Sequence, residues 1–303
     1  MESQSSASAS SAHEASAQSA AWLESDPSSR LGPERYKFFT SYCQLAAEEL
    51  LPHLHRIVGH VIILRSSPLT SVKRTAAWKV RPYPYIGQWG FLNSKIAKLP
   101  HYSQLLRRAT EGARVLDMGC GLGQDLRQLA FDGAPSHSLY GADIEPSFWE
   151  LGNDLFRDRD RFHGQFIEID LLAPAAEILA RVQVSLDIIH VSGVLHLWDQ
   201  YSQTKAIRTL VTLSKTGTEI CGSQMGRATG SAAPPWIQGS QVPFLHDRNT
   251  FRALWDEAAR QSKTRWDIEV NITELKYILS GKTDKDWINE NTRQLWFRAT
   301  RVE

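Results

Sequence analysis

The chain has 303 residues, a net charge of +1 and 42% hydrophobic residues, enough for one large α/β domain with an extension or two smaller domains. That balance offers no charge excess for nucleic acid or an anionic membrane, and no run of about 18 apolar residues argues for a membrane span. Three scattered cysteines, Cys43, Cys120 and Cys221, make neither a disulfide framework nor a zinc site, so the expectation is a reduced, cytoplasmic protein without a metal.

Residues 1–30 read as a disordered Ser/Ala-rich tail, without the basic start of a signal peptide. Residues 31–110 read as a helical and lid extension, and residues 111–303 as the main α/β domain. Within the extension, Phe38, Phe39, Tyr42, Leu45, Leu50 and Leu54 fall at helical spacing, with Pro52 expected to interrupt or end the first helix. The segment from Arg81 to Phe91 holds two Gly, two Pro and four aromatics, Tyr83, Tyr85, Trp89 and Phe91. It is expected to be an irregular strap over the core or a lid over a substrate, with those aromatics lining an acceptor pocket.

From Arg114 onward strands near 114–118, 138–144, 164–170, 185–192 and 217–224 alternate with helices near 123–132, 146–160, 174–182 and 199–214, the pattern of a mostly parallel sheet. The first strand runs into Gly119, Gly121 and Gly123 and then a helix, so a ligand can lie against bare backbone. The loop fails G-x-G-x-x-G, because Gln124 or Leu126 stands at the third glycine position. It also places Asp117 before the glycines, where a polyphosphate is repelled and an ammonium or sulfonium is held. Asp143, twenty residues after Gly123, suits the ribose hydroxyls, with Ile144 beside it. Asp170 with Leu171 ends the third strand and suits the adenine. A lone strand-end Asp is more often a turn residue. Three in order after a glycine loop without Lys favour S-adenosylmethionine over NAD or ATP, with Gln124, Asp125 and Ser192 as further cofactor contacts.

The helix near 146–160 carries Phe148, Leu151, Leu155 and Phe156 on one face, and its end, 157–161, reads as a solvated charge run. His196 follows the fourth strand at the lip where ligands of such sheets sit, and is the candidate general base. Gln224 and Met225 after the fifth strand, with Trp236, are expected in the acceptor pocket. The stretch 228–242 reads as too irregular for core structure. A helix near 249–261 and strands at 266–272 and 294–302 suit an antiparallel pair that closes a seven-stranded sheet.

Several runs carry a resemblance to a known family: Val115-Leu-Asp-Met-Gly-Cys-Gly-Leu-Gly-Gln-Asp-Leu-Arg127, Phe131-Asp-Gly-Ala-Pro135, Leu139-Tyr-Gly-Ala-Asp143, Leu155-Phe-Arg-Asp-Arg-Asp160 and His196-Leu-Trp-Asp199. From about residue 81 onward the chain resembles fungal class I S-adenosylmethionine-dependent methyltransferases of secondary metabolism, the meroterpenoid and polyketide group. The resemblance implies a Rossmann-like seven-stranded sheet, an S-adenosylmethionine site, and O-methylation of a small hydrophobic acceptor, often at a carboxyl group. Homodimerisation is left open. A carboxylate acceptor is ionised at pH 7 and needs no base, whereas a phenol or enol near pKa ~10 would use His196. The competing expectations are C-methylation, a cyclisation or other pericyclic step on the same fold, and a non-catalytic binding module.

Overall fold

The computed structural model describes residues 24, 26–58, 77, 80–81, 83–182, 186–234, 241–275 and 289–303. Its helices are α1 (Pro33–Ser41), α2 (Leu50–Val58), α3 (Tyr102–Thr110), α4 (Gln124–Phe131), α5 (Pro146–Phe156), α6 (Ala176–Val182), α7 (Gln200–Thr212) and α8 (Arg248–Gln261), besides short turns. The strands are β1 (Val115–Met118), β2 (Leu139–Asp143), β3 (Gln165–Glu168), β4 (Ile188–Val191), β5 (Glu219–Arg227), β6 (Ser231–Ala232), β7 (Phe244–Leu245), β8 (Trp266–Glu274) and β9 (Thr292–Arg301). The described residues form two compact units, one reaching Ser94 and including Ser147–Arg161, the other made of Lys95–Pro146 and Phe162–Glu303.

The second unit is built on a seven-stranded sheet of order β3-β2-β1-β4-β5-β9-β8, with β9 antiparallel to both of its neighbours. This is the sheet expected from the alternation of strands and helices. Side chains alternate between its faces. Leu116, Ile189, Ile220, Phe297 and Ala299 join one fully buried apolar cluster with Ala206, Ile207 and Leu210 of α7 and Phe251 and Trp255 of α8. Asp117, His190 and Cys221 are in register on β1, β4 and β5 and share one face. Farther along that face, Glu219 is buried and bridged by Arg108 at 3.1 Å and Arg298 at 3.0 Å.

One part of 228–242 departs from expectation: Ser231–Ala232 pair as β6 with β7, which lies just beyond the stretch, and Ala233 is buried with Leu245 under Leu197 and Met225, while residues 235–240 lie outside the described residues. A two-stranded ribbon hides its apolar side chains with few residues, which composition alone does not show.

The first unit has its own aromatic core. Phe39 stacks on Phe156 with centroids 6.1 Å apart, and Phe38 meets the same ring edge-on at 6.0 Å. The helix expected to run to 160 stops at Phe156, because Arg157 takes a left-handed φ of 50°. The expected solvated run is solvated only in part. Asp158 is fully buried and accepts the Tyr42 hydroxyl at 2.8 Å. Pro52 interrupts nothing; it sits in the first turn of α2, where its missing N–H is harmless, and the break falls between Ser41 and Ala47. Residues 24 and 26–30, assigned to the tail by composition, are tied in: Glu24 N–H donates to Gly87 O at 2.9 Å.

Candidate active site

The glycine loop is fixed by its own backbone. Gly119, Gly121 and Gly123 have φ of 72°, 53° and 73°, a left-handed conformation that side chains resist. The N–H groups of Gly119 and Cys120 both donate to Ala142 O, at 2.7 and 3.0 Å, which docks the loop on β2. Gly121 N–H donates to Asp143 Oδ2 at 2.9 Å, and Glu145 N–H donates to Asp143 Oδ1 at 3.1 Å. Asp143 is therefore both the brace of the loop and a half-buried carboxylate with lone pairs to spare. Burial raises its pKa, while the backbone donors Gly121, Glu145 and Ile144 pull it back.

Around it, Ile144 is 47% exposed, an uncovered apolar side chain beside the acid. Asp170 lies exposed past the end of β3 and accepts Leu172 N–H at 2.8 Å, the turn role that sequence weighed against ligand binding; Leu171 beside it is buried. Gln124 and Asp125 are almost fully buried. Gln124 Nε2 donates to Asp125 Oδ2 at 2.9 Å, and Asp125 Oδ1 accepts Ile96 N–H at 2.9 Å. Those two side chains tie the 95–98 segment to the first turn of α4.

A third group lies at the carboxyl end of β1 and β4. Asp117 Oδ1 is 2.7 Å from His190 Nδ1, His190 Nε2 is 2.7 Å from Ser192 Oγ, and Ser192 Oγ accepts Ser223 N–H at 2.8 Å. Asp117 is 2% exposed, and its Oδ2 has no hydrogen-bond partner among the described residues. Burial raises the Asp117 carboxyl, with His190 drawing it back.

Beyond Ser192 the chain turns at Gly193, φ 72°, where any Cβ would strike Lys95 Nζ, and enters a single 3-10 turn, Leu195–Leu197, that carries His196. Lys95 Nζ lies 3.5 Å from Ser192 O. Burial first and the Lys95 charge second push His196 down to about 3. Asp199, the acid nearest His196 in sequence, is spent on capping α7, accepting Ser202 N–H at 2.8 Å.

Met225 lies half-buried with Leu197, Ala233 and Leu245. Gln224 is 3% exposed and makes no side-chain hydrogen bond among the described residues. Trp236 lies outside the described residues. Tyr83, Tyr85, Trp89 and Phe91 belong to the first unit, where Trp89 and Phe91 are core. The Trp89 indole N–H donates to Glu24 O at 2.7 Å, and the segment forms a turn at Pro84–Gly87 and a 3-10 turn at Gly90–Leu92.

Residues 22–92 match the family model "Meroterpenoid methyltransferase N-terminal domain", and residues 116–219 match "Methyltransferase domain". An O-methyltransferase of Stereocaulon alpinum is 30% identical over 93% of this chain and 76% of its own. A methyltransferase of Penicillium roqueforti is 33% identical over 80% of this chain and 81% of its own. The chain belongs to the fungal class I S-adenosylmethionine-dependent methyltransferases of secondary metabolism. The asnovolin E/chermesin D methyltransferase of Aspergillus novofumigatus, 32% identical over 75% of this chain and 77% of its own, is another relative. The methyl donor of this methyltransferase is S-adenosylmethionine. The residues present fit it: a cradle of three left-handed glycines, a buried carboxylate oxygen without a donor, and no Lys or Arg in the loop to suit a phosphate. No helix among the described residues of the methyltransferase is long and apolar enough to cross a membrane.

Sequence reasoning missed His190, Lys95 and Ser223. A histidine inside the apolar run Ile188-Ile-His-Val191 was the one available signal for the first. Lys95 has no local signature; it arrives from a segment 97 positions before Ser192.

Proposed function

We propose that this methyltransferase transfers methyl to the carboxylate oxygen of a small hydrophobic metabolite. What supports this reading is the setting of His196: it is half-buried in a turn beside Lys95, and the nearby Asp199 is spent on capping α7. Burial with the Lys95 charge pushes the His196 conjugate acid down to about 3, so it is a poor base for a phenol or enol, whereas a carboxylate needs none. When bound, S-adenosylmethionine supplies a methyl on a cationic sulfur. The chain's task is then alignment, which can contribute on the order of 7–11 kcal/mol.

In this reading Asp117 Oδ2 accepts the cofactor's ammonium, Asp143 accepts the ribose hydroxyls, and Asp170 with Ile144 and Leu171 holds the adenine. Ser192 stands next to the cofactor, and Met225 and Gln224 belong to the acceptor side. Lys95 and His196 orient the acceptor's oxygen, the first by charge and the second by a hydrogen bond. The described residues up to Ser94, with 147–161, act as an accessory module, and three buried free thiols suit a reducing compartment.

The test is transfer from methyl-labelled cofactor to a panel of hydrophobic carboxylic acids and phenols. A methyl ester gives up its label as methanol in mild alkali, whereas a methyl ether or a C-methyl group keeps it. Alkali-stable label would move the acceptor to a phenol, enol or carbon. Absence of any transfer, with the substrate rearranged, would leave the cyclisation reading.

A further inference from the structure

His190 is a buried titratable group of the second unit to which the reading above gives no part in methyl transfer. His190 is fully buried in β4, between Asp117 on β1 and Cys221 on β5. Its two ring nitrogens are both engaged, at 2.7 Å to Asp117 Oδ1 and 2.7 Å to Ser192 Oγ. Ser192 Oγ has a fixed donor in Ser223 N–H at 2.8 Å and a second neighbour in Ser223 Oγ at 3.5 Å.

This arrangement serves the ring in either protonation state. A neutral ring donates from Nδ1 to Asp117 and accepts the Ser192 hydroxyl at Nε2. A charged ring donates from both nitrogens, and the Ser192 hydroxyl turns to Ser223 Oγ. No hydrogen bond is lost in the exchange, so a proton can come or go without rearranging the sheet. The charged groups that face the ring are Asp117, Asp125 from the first turn of α4, and Lys95; Cys221 flanks it from β5.

We infer that His190 is a positioning residue for the cofactor, keeping a proton while Asp117 Oδ2 is open and releasing it to solvent when that oxygen accepts the cofactor's ammonium. The inference rests on the reading of Asp117 given above. An imidazolium on one carboxylate oxygen and an ammonium on the other are like charges around a single buried anion, and of the two cations the imidazolium, ordinarily the stronger acid, yields its proton. Burial by itself would lower the imidazole pKa, but the charge and hydrogen bond of Asp117, with Asp125 behind it, carry it net above the ordinary histidine value, Lys95 opposing. In the free protein the ring is therefore charged at mildly acid pH. Affinity for the cofactor rises with pH through that ionisation and falls by up to about tenfold per pH unit below it, as linkage of one proton requires.

The experiment is calorimetry of S-adenosylhomocysteine binding in buffers of different ionisation heat, at about pH 5.5 to 7.0, below the α-amino range. The wild-type protein should release close to one proton per ligand at the acid end. In His190→Gln the titrating group becomes the Asp117 carboxyl, which burial raises and no imidazole draws back, so the pH dependence of affinity should move away from that of the wild type. An unchanged pH dependence in His190→Gln, or no release from wild type, overturns the inference.

If His190→Gln does not fold, ring nitrogen NMR of the wild type decides instead. One buried imidazole must pass from charged to neutral on saturation with ligand, and an unchanged spectrum refutes the inference. Asp117→Asn separates the layers. Undiminished affinity in that variant removes the Asp117 reading and the inference with it. Lost affinity there, without proton release in wild type, sinks the His190 role alone.

Discussion

Replacing His196 with Asn tests the acceptor chemistry most directly. With a conjugate acid at about 3, the imidazole is charged in roughly one molecule in a thousand at pH 6, so its ionisation leaves no mark on the rate between about pH 5.5 and 8.5. A base whose conjugate acid lies so far below the ordinary histidine value is also weak. On a carboxylate acceptor, His196→Asn should therefore lower kcat by less than about tenfold, the share of one orienting hydrogen bond, and leave the pH profile unchanged. The assay is steady-state methyl transfer across pH with cofactor affinity measured in parallel. A loss of about 10²–10⁴ in kcat, with cofactor affinity intact and a wild-type rate following one ionisation near neutrality, would refute the reasoning and restore His196 as a general base.

Asp143→Ala should weaken S-adenosylhomocysteine binding roughly ten- to hundredfold by calorimetry, since a charged acceptor of hydroxyl donors contributes about 1.5–3 kcal/mol and the Gly121 N–H loses its brace as well. Gly222→Ala should destabilise the β4–β5 pairing by about 1–3 kcal/mol or more, read as a lower melting temperature, because a Cβ there would enter the Val191 carbonyl, whose carbon lies 2.7 Å away and cannot swing aside. Glu219 has its pKa lowered in the fold, with burial opposing and His101, Arg298 and Arg108 prevailing. Its contribution is thus complete above the ordinary glutamate value and is lost as pH falls through the lowered one. Melting followed from pH 7 to about 3.5 should show that loss, and Glu219→Gln should flatten it at a cost of about 3 kcal/mol at neutral pH. Limited proteolysis near Gly87 should proceed equally with and without ligands, because Ile86, Trp89 and Phe91 are fixed in the core of the first unit; protection by ligand would make that segment a lid.

What was legible in the sequence was what is local. Alternate glycines after a short apolar strand announce a left-handed loop, and strand–helix alternation followed by two late strands gives a mostly parallel seven-stranded sheet closed by an antiparallel pair. Asp143 was picked out by its distance from the loop, and its carboxylate braces that loop through Gly121 N–H. Contacts between distant segments were not legible. Asp117 and Ser192 were picked out separately, but only the register of β1 against β4 puts His190 between them. Asp158 reads as one more charge in a charged run until Tyr42, 116 positions away, is seen to cover it. His196 was picked out for following the fourth strand, but its depressed basicity comes from burial and from Lys95, neither of which spacing reveals.

The loan of residues 147–161 to the first unit limits how such a protein can be assembled and recombined. Phe38 and Phe39 find Phe156, and Tyr42 finds Asp158, only after the ribosome has made β1, the glycine loop and β2. The amino-terminal module is thus not finished first, although its first residues are. For the same reason it cannot be exchanged between relatives as one continuous cassette. A crossover near residue 94 that leaves α5 behind pairs the aromatic cluster of one parent with the ring and the buried acid of another. Functional chimaeras should therefore carry both segments from a single source.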